Sequence, residues 1–234
     1  MEKMKYVLAA TTLAVGVALA GGSAYAADIA QPGVVQAPAP AALAGSYVSV
    51  FGGYAFGNSV SAHATQGSYN VSTPYNGGYI IGGAIGTHLM PNLRGEVEVS
   101  YVSHGASGQS FASSGGVGTA TGSTSTLYLL GNLWYDIDTG SAFTPYLGGG
   151  LGAAVLMPNV TLDSGGTYNS DAVAFAAQLG AGIKFQLADN IALDLGYRAK
   201  DVFNASLTGS GGASNVTNVN YIDQSVQAGL TFGF

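Results

Sequence analysis

The sequence has no cysteine, very little charge and no long apolar run beyond its start. Charged residues make up 8% of the 234 residues, against about 25% in a typical soluble domain. The missing cysteine excludes disulfides, thiolate metal sites and a lipidated cysteine anchor. After residue 26 no stretch reaches the roughly 18 apolar residues of a membrane-spanning helix. Too few charges remain to coat a large water-facing surface.

The chain is instead rich in glycine and in small polar residues. It contains 37 glycines, 10% aromatic residues and 47% hydrophobic residues. That apolar and aromatic content is ample for an ordered structure and argues against a disordered, low-complexity chain. With soluble domains and helical membrane proteins set aside, composition favours a transmembrane β-barrel.

The first 26 residues have the three parts of a secretory signal peptide. Lys3 and Lys5 form a basic start, residues 6–20 are apolar, and residues 24–26 read Ala-Tyr-Ala. This order predicts export and cleavage after Ala26. Cleavage leaves four basic and eleven acidic residues, a net charge of −7. That charge disfavours nucleic acid as a partner.

The remaining chain divides into a short linker and a long region of alternating polarity. Residues 27–44 are rich in alanine and proline and predict a flexible periplasmic tether. Residues 45–234 form the predicted barrel domain, in which segments of about ten residues alternate in polarity between Gly/Ser/Thr/Asn-rich stretches. The eight segments are 46–56, 78–89, 93–101, 124–136, 144–157, 173–187, 191–200 and 222–234.

The alternation separates an apolar face from a polar one. In the last segment an apolar row runs from Ile222 to Phe234, and only Gln224 interrupts it. A soluble β-sandwich has the same period, but its polar faces meet water and should carry many charges. These polar faces are mostly Gly, Ser, Ala and Gln, which suits a narrow barrel interior. We therefore predict an all-β fold, a transmembrane up-and-down antiparallel β-barrel of eight strands.

Connections between the segments alternate in length. Those at 90–92, 136–143 and 188–190 are short, and the others are long. In such barrels the short turns face the periplasm and the long loops face the exterior. Both termini are therefore expected on the periplasmic side of a bacterial outer membrane. The aromatic and apolar residues expected in two interfacial girdles are Leu89, Tyr135, Tyr146 and Phe234 at the inner rim and Tyr54, Phe56, Tyr79 and Tyr101 at the outer rim.

Several stretches resemble a known family, the small eight-stranded outer-membrane barrels that include opacity proteins and the membrane domain of outer membrane protein A. The resemblance rests on residues 47–54 (YVSVFGGY), 91–101 (PNLRGEVEVSY), 132–152 and the final phenylalanine. It implies a Gram-negative surface antigen or envelope protein that contacts outer-membrane lipid and lipopolysaccharide. It also implies that Leu230, Phe232 and Phe234 form the recognition signal for the barrel-assembly machinery.

Charged residues at the alternate strand positions that face the barrel interior predict an ion network in the lumen. It comprises Arg94, Glu96, Glu98, Lys184, Asp194 and Arg198, with Lys200 on the same face. If the turn at 188–190 centres its hairpin, Lys184 lies opposite Asp194. Arg198 could meet Glu98 or Glu96 across the lumen only if the interior is narrow. Such a network is a plug and predicts a structural role, whereas interior glycines could open a thin water path and make a narrow or gated porin.

Neither a catalytic site nor a metal-binding site is expected. Glu96 and Glu98 lie roughly 6.5 to 7 Å apart by strand rise, which formally suits acid/base catalysis, but a structural salt network is favoured. His63, His88 and His104 are isolated, so we expect no metal, no cofactor and no enzyme activity. The long loops are polar and nearly uncharged, which fits contact with host factors, phage or antibodies, or inert cover.

Overall fold

The computed structural model describes residues 45–57, 59–64, 69–105, 109–113, 116–163, 165–211, 213 and 215–234. The predicted signal peptide and tether, residues 1–44, lie outside these ranges. In the described residues, no helix is long and apolar enough to cross a membrane.

Thirteen strands are described, eight long and five short. The long strands are β1 (Ser46–Ala55), β4 (Gly78–Met90), β5 (Leu93–Gly105), β7 (Gly116–Asp136), β8 (Phe143–Leu162), β10 (Ala172–Ala188), β11 (Ile191–Leu207) and β13 (Val216–Gly233). The short strands are β2 (Ser59–Ala64), β3 (Tyr69–Pro74), β6 (Gln109–Ser113), β9 (Thr167–Tyr168) and β12 (Gly209–Ser210).

The long strands close into a ring. Each pairs antiparallel with the next long strand along the chain, and β13 pairs with β1. Following paired residues from Tyr47 through all eight strands leads to Asp223, whereas Tyr47 itself pairs with Gly233. The ring thus closes with an offset of ten residues along β13, which requires the strands to tilt by about 35–45°. The predicted eight-stranded antiparallel barrel is confirmed.

The two ends of the barrel differ in their connections. At one end, here the turn end, β4 and β5, β7 and β8, and β10 and β11 are joined by short turns. At the other, the loop end, the strands continue further than predicted: β7 begins at Gly116 and β11 runs to Leu207. The expected loops were too long because outward residues in these extensions are often Ser, Thr or Asn, which erases the apolar alternation while backbone pairing continues.

The outward face is apolar and exposed, as the alternation predicted. Tyr54, Phe56 and Tyr79 lie outward near the loop end, and Phe143 packs against Phe185 at the turn end with ring centroids 4.8 Å apart. Tyr146 was wrongly placed in a girdle. Its side chain is 2% exposed and lies inside the barrel, because the even residues of β8 point inward with the polar face.

The inward face changes character along the axis. Near the turn end and through the middle it carries charged and amide side chains. Towards the loop end it becomes an apolar cluster around two buried tyrosines, Tyr128 and Tyr221. Other members of this cluster are Ala55, Ile80, Val102, Leu130, Ala154, Leu156, Ala172, Ala174, Ala176, Val202, Ala205, Val216 and Val219. The polar interior is therefore covered by an apolar layer at the loop end.

Candidate functional site

The candidate site is the barrel interior, and β5 supplies its charged core. The period of two along a strand sends Arg94, Glu96, Glu98 and Ser100 to the same inward face. Val97 and Val99 between them point outward and are about half exposed. One strand thus presents an ion ladder inside and an apolar surface outside.

At the turn end, Arg94 and Asp136 form a bidentate ion pair. The Arg94 Nε and Nη2 atoms lie 2.7 and 3.0 Å from the two carboxylate oxygens of Asp136. Lys184 Nζ donates to the same carboxylate at 3.1 Å, and Arg94 Nη1 donates to the Tyr47 hydroxyl at 2.9 Å. All four side chains are buried, so the pairs lie where the attraction between charges is strong and breaking them is costly.

Glu96 accepts three hydrogen bonds from three side chains. The donors are Tyr47 at 2.9 Å, Trp134 Nε1 at 2.7 Å and Asn132 Nδ2 at 3.0 Å. Tyr47 also accepts from Arg94. Glu96 is therefore joined to the turn-end ion pair through one phenol.

Glu98 forms a middle layer of the interior together with Ser100, Asn132, Gln178 and Lys200, all of which donate to its carboxylate. Asn132 and Gln178 donate to one of its oxygens at 3.0 and 2.8 Å, and Ser100 and Lys200 donate to the other. Both Glu98 and Lys200 are almost completely buried. Four donors from four inward positions are the complement that a buried carboxylate needs.

Arg198 lies beside this layer and does not bond either glutamate. Its guanidinium stacks on Trp134, 4.3 Å from the ring centroid, and donates to the Tyr146 hydroxyl at 2.9 Å. Tyr146 in turn donates to Asp194 at 2.6 Å. A phenol therefore links Arg198 to Asp194.

Inward glycines do not leave open space in this region. A Cβ added at Gly86 would lie closer than 3 Å to the ring of Tyr47, and one at Gly182 closer than 3 Å to the Tyr146 hydroxyl. A Cβ at Gly196 would meet the Arg198 guanidinium in the same way. Large side chains thus occupy the space above these glycines.

At the loop end a second carboxylate centre lies near the apolar cluster. Asp223 accepts from Tyr128 at 2.6 Å, and the His104 Nε2 atom lies 2.8 Å from its other oxygen. The His104 Nδ1 atom lies 3.0 Å from the backbone oxygen of Asn76. This centre connects β5, β7 and β13 with the segment before β4.

The predicted charged residues all lie inward, but several partners differ from expectation. The register that places Lys184 opposite Asp194 is confirmed, yet Lys184 bonds Asp136 instead. A narrow interior was expected to let Arg198 meet Glu98 or Glu96 across the lumen, but Lys200 is the residue that bonds Glu98. Strand parity fixes the face of a residue and leaves the direction of a long side chain along the axis undetermined.

Sequence reasoning overlooked several members of the interior network. Asp136 was placed where segment 124–136 meets the following turn and was left out of the network, although it shares the inward face of Asn132 and Trp134. Asp223 and His104 also occupy alternate strand positions that face inward, and this position could have identified them from the sequence. In the described residues, no group of three His, Cys, Asp or Glu side chains could hold a metal ion.

The sequence matches the outer membrane protein beta-barrel domain over residues 12–234. The chain belongs to this family. Membership agrees with the ring of eight strands and with the apolar outward face, and it places the chain in the bacterial outer membrane.

The similarity to individual proteins is either confined to a short stretch or low in sequence identity. A stretch of 79 residues is 37% identical to an uncharacterized protein of Brucella abortus (strain 2308), covering 30% of this chain and 28% of that protein. The outer membrane protein OprG from Pseudomonas aeruginosa has a TM-score of 0.51 and 19% identity, covering 84% of this chain and 100% of its own. The outer membrane protease OmpT from Escherichia coli has a TM-score of 0.51 and 12% identity, covering 81% and 97%. At these identities the two structures share a fold with this chain.

Proposed function

We propose that this protein is a structural and cell-surface barrel of the outer membrane whose interior does not conduct. The observation that carries the proposal is the Lys200–Glu98 contact across the lumen, surrounded by donors from β5, β7 and β10. A hydrated ion could pass only by separating these buried charges, which costs several kcal/mol. It would then meet the apolar layer at the loop end, and such constrictions exclude water.

The proposed orientation places the turn end in the periplasm and the loop end outside the cell. Barrels of this class have short periplasmic turns and longer extracellular loops. Residues 1–26 would then direct export, and residues 27–44 would link the signal peptide to β1. Leu230, Phe232 and Phe234 lie outward at the turn end of β13, where the barrel-assembly machinery could recognise them.

A surface role is supported by the strands and hairpins that continue at the loop end. Lipopolysaccharide would surround the outward face, and the loop-end connections would meet host, phage or antibody ligands. Replacing these connections with short turns should abolish ligand binding while the barrel still folds. Binding that survives this replacement would contradict the surface role.

We propose that the interior performs no catalysis. Both ring nitrogens of His104 face acceptor oxygens, of Asp223 and of a backbone carbonyl, so neither faces a hydroxyl or thiol that it could activate. Glu98 is occupied by four donors, so it is not positioned to accept a proton from a substrate. The similarity to the protease OmpT is a similarity of fold, and it assigns no catalytic residue to this chain.

One observation favours the alternative, a narrow pore. The Gln178 Oε1 atom is buried without a hydrogen-bond partner. Such an atom is a place for an ordered water molecule. Water in the middle layer would be the first part of a path for small solutes.

Conductance of the refolded barrel in a planar bilayer distinguishes these functions. We expect no steady openings from wild-type protein whose folding is shown by heat-modifiable gel migration. A variant that truncates both layers, Glu98→Ala and Lys200→Ala in the middle and Tyr128→Ala and Tyr221→Ala at the loop end, should conduct if it is shown to fold. The matched control Val99→Ala changes an outward side chain of the same strand and should stay silent. Steady openings of the wild type would overturn the structural proposal in favour of the pore.

A further inference from the structure

His104 makes two hydrogen bonds that a neutral imidazole cannot both donate. Its Nε2 atom faces a carboxylate oxygen of Asp223 at 2.8 Å, and its Nδ1 atom faces the backbone oxygen of Asn76 at 3.0 Å. Both partners are acceptors. A neutral histidine has one N–H, whereas the imidazolium has two. With Asp223 ionised, both contacts are hydrogen bonds only when the ring is doubly protonated.

With all five inward carboxylates ionised, the charges of the lumen balance when His104 is an imidazolium. The four Lys and Arg residues after residue 5 all lie inside the barrel, and five carboxylates face them. An imidazolium at His104 makes the numbers equal. The cations are Arg94, Lys184, Arg198 and Lys200, and the carboxylates are Glu96, Glu98, Asp136, Asp194 and Asp223.

Other titratable groups surround the carboxylate that His104 faces. Asp223 on β13 faces His104 directly, and Tyr128 on β7 donates to the same carboxylate. Tyr221 on β13 interacts with Tyr128, and the Lys200 ammonium on β11 attracts Asp223. In the segment before β4, burial raises the pKa of Tyr75, and a hydrogen bond from Thr124 only partly opposes that shift. Histidine is the side chain whose charge ordinarily changes between about pH 5 and 8.

We propose that His104 is a proton-operated latch at the loop end, which ties the Asn76 carbonyl to Asp223 of β13 when protonated and lets go of that carbonyl when neutral. The neutral ring keeps its one N–H for Asp223, because a carboxylate is a stronger acceptor than a carbonyl. Its bare Nδ1 atom then faces the Asn76 oxygen, and the two lone pairs repel each other. The latch does not depend on whether the lumen conducts.

The segment that the latch holds has a backbone reporter. The amide of Asn76 donates to the carbonyl oxygen of Gly105, next to His104, at 3.1 Å. The two bonds are made by the two backbone groups of one residue, so release of the Asn76 carbonyl loosens the residue whose amide donates to Gly105. Hydrogen exchange of the segment reads the latch directly.

Hydrogen exchange of the barrel in micelles across pH 5 to 9, corrected for intrinsic rates, tests the proposal. We expect protection of residues 75–78 to fall roughly tenfold as pH rises, as for the loss of one charge-assisted hydrogen bond. His104→Gln should remove this pH dependence. The matched control His88→Gln, at the turn end beside Gly45, should keep it. A pH-independent wild type, or a pH dependence that persists in His104→Gln, would overturn the latch.

Nitrogen NMR of histidine-labelled wild-type protein provides a second test that needs no folded His104 variant. The three histidines are assigned by elimination with His63→Gln and His88→Gln. We expect both ring nitrogens of His104 to be protonated at pH 6, with one proton lost at alkaline pH. A neutral His104 ring at pH 6 would contradict the proposal.

Discussion

Lys200 on β11 reaches across the barrel and donates a hydrogen bond to Glu98 on β5. The two strands are four positions apart in a ring of eight, so they face each other across the lumen. The contact spans the interior at its middle layer. It joins opposite walls of the barrel, whereas backbone pairing joins only neighbouring strands.

Removing either partner of this pair should destabilise the barrel strongly. Lys200→Met leaves Glu98 as a buried charge without its cation, and the free energy of unfolding should fall by about 3–5 kcal/mol. Glu98→Gln should have a similar effect. The double variant should lose clearly less than the sum of the two, measured by equilibrium urea unfolding of the barrel in detergent.

The control cycle pairs Lys200→Met with Leu89→Ala. Leu89 is outward and lies at the turn end, so the two changes should add within about 0.5 kcal/mol. Additive losses in the Lys200 and Glu98 cycle would show that the two side chains do not stabilise each other.

Much of the fold could be predicted from the sequence because a barrel strand has two distinct environments. The outward row of the last strand shows this and also its exception. Gln224 lies outward, where the hydroxyl of Tyr197 on the neighbouring strand donates to its amide oxygen. A single polar residue in an apolar row was tolerated because a partner on the next strand satisfies it. That partner is visible only once the register is known.

The interior network could be predicted only in part. Parity assigns Lys200, Asp136 and Tyr146 to the inward face, but it does not say how far each side chain extends along the axis. Lys200 reaches Glu98, and Tyr146 turns towards Asp194. These choices depend on the ten-residue offset of the ring, which places residues of distant strands at one height. No local pattern in the sequence encodes that offset.

A second prediction concerns the close contact between Gly86 and Tyr47. Gly86→Ala would place a methyl group against the Tyr47 ring and 2.8 Å from the backbone oxygen of Gly95. Displacing Tyr47 would disturb its bonds to Arg94 and Glu96. We expect a loss of about 1–3 kcal/mol in the free energy of unfolding.

The matched control for this substitution is Gly105→Ala. A methyl group at Gly105 would meet nothing within 4 Å, so stability should change little. Equal losses at the two positions would mean that removing glycine itself, and not the contact with Tyr47, lowers the stability.

The third prediction uses Trp134, the one tryptophan of the chain, as a reporter of water in the lumen. Its indole is 1% exposed, donates to Glu96 and lies under the guanidinium of Arg198. Iodide should therefore quench its fluorescence weakly in the folded barrel and strongly in urea. Opening both layers with Glu98→Ala, Lys200→Ala, Tyr128→Ala and Tyr221→Ala should raise quenching towards the unfolded value, whereas the outward change Val99→Ala should not. Strong quenching of the folded wild type would mean that aqueous ions reach Trp134 past the ion pairs, and the plugged interior would be wrong.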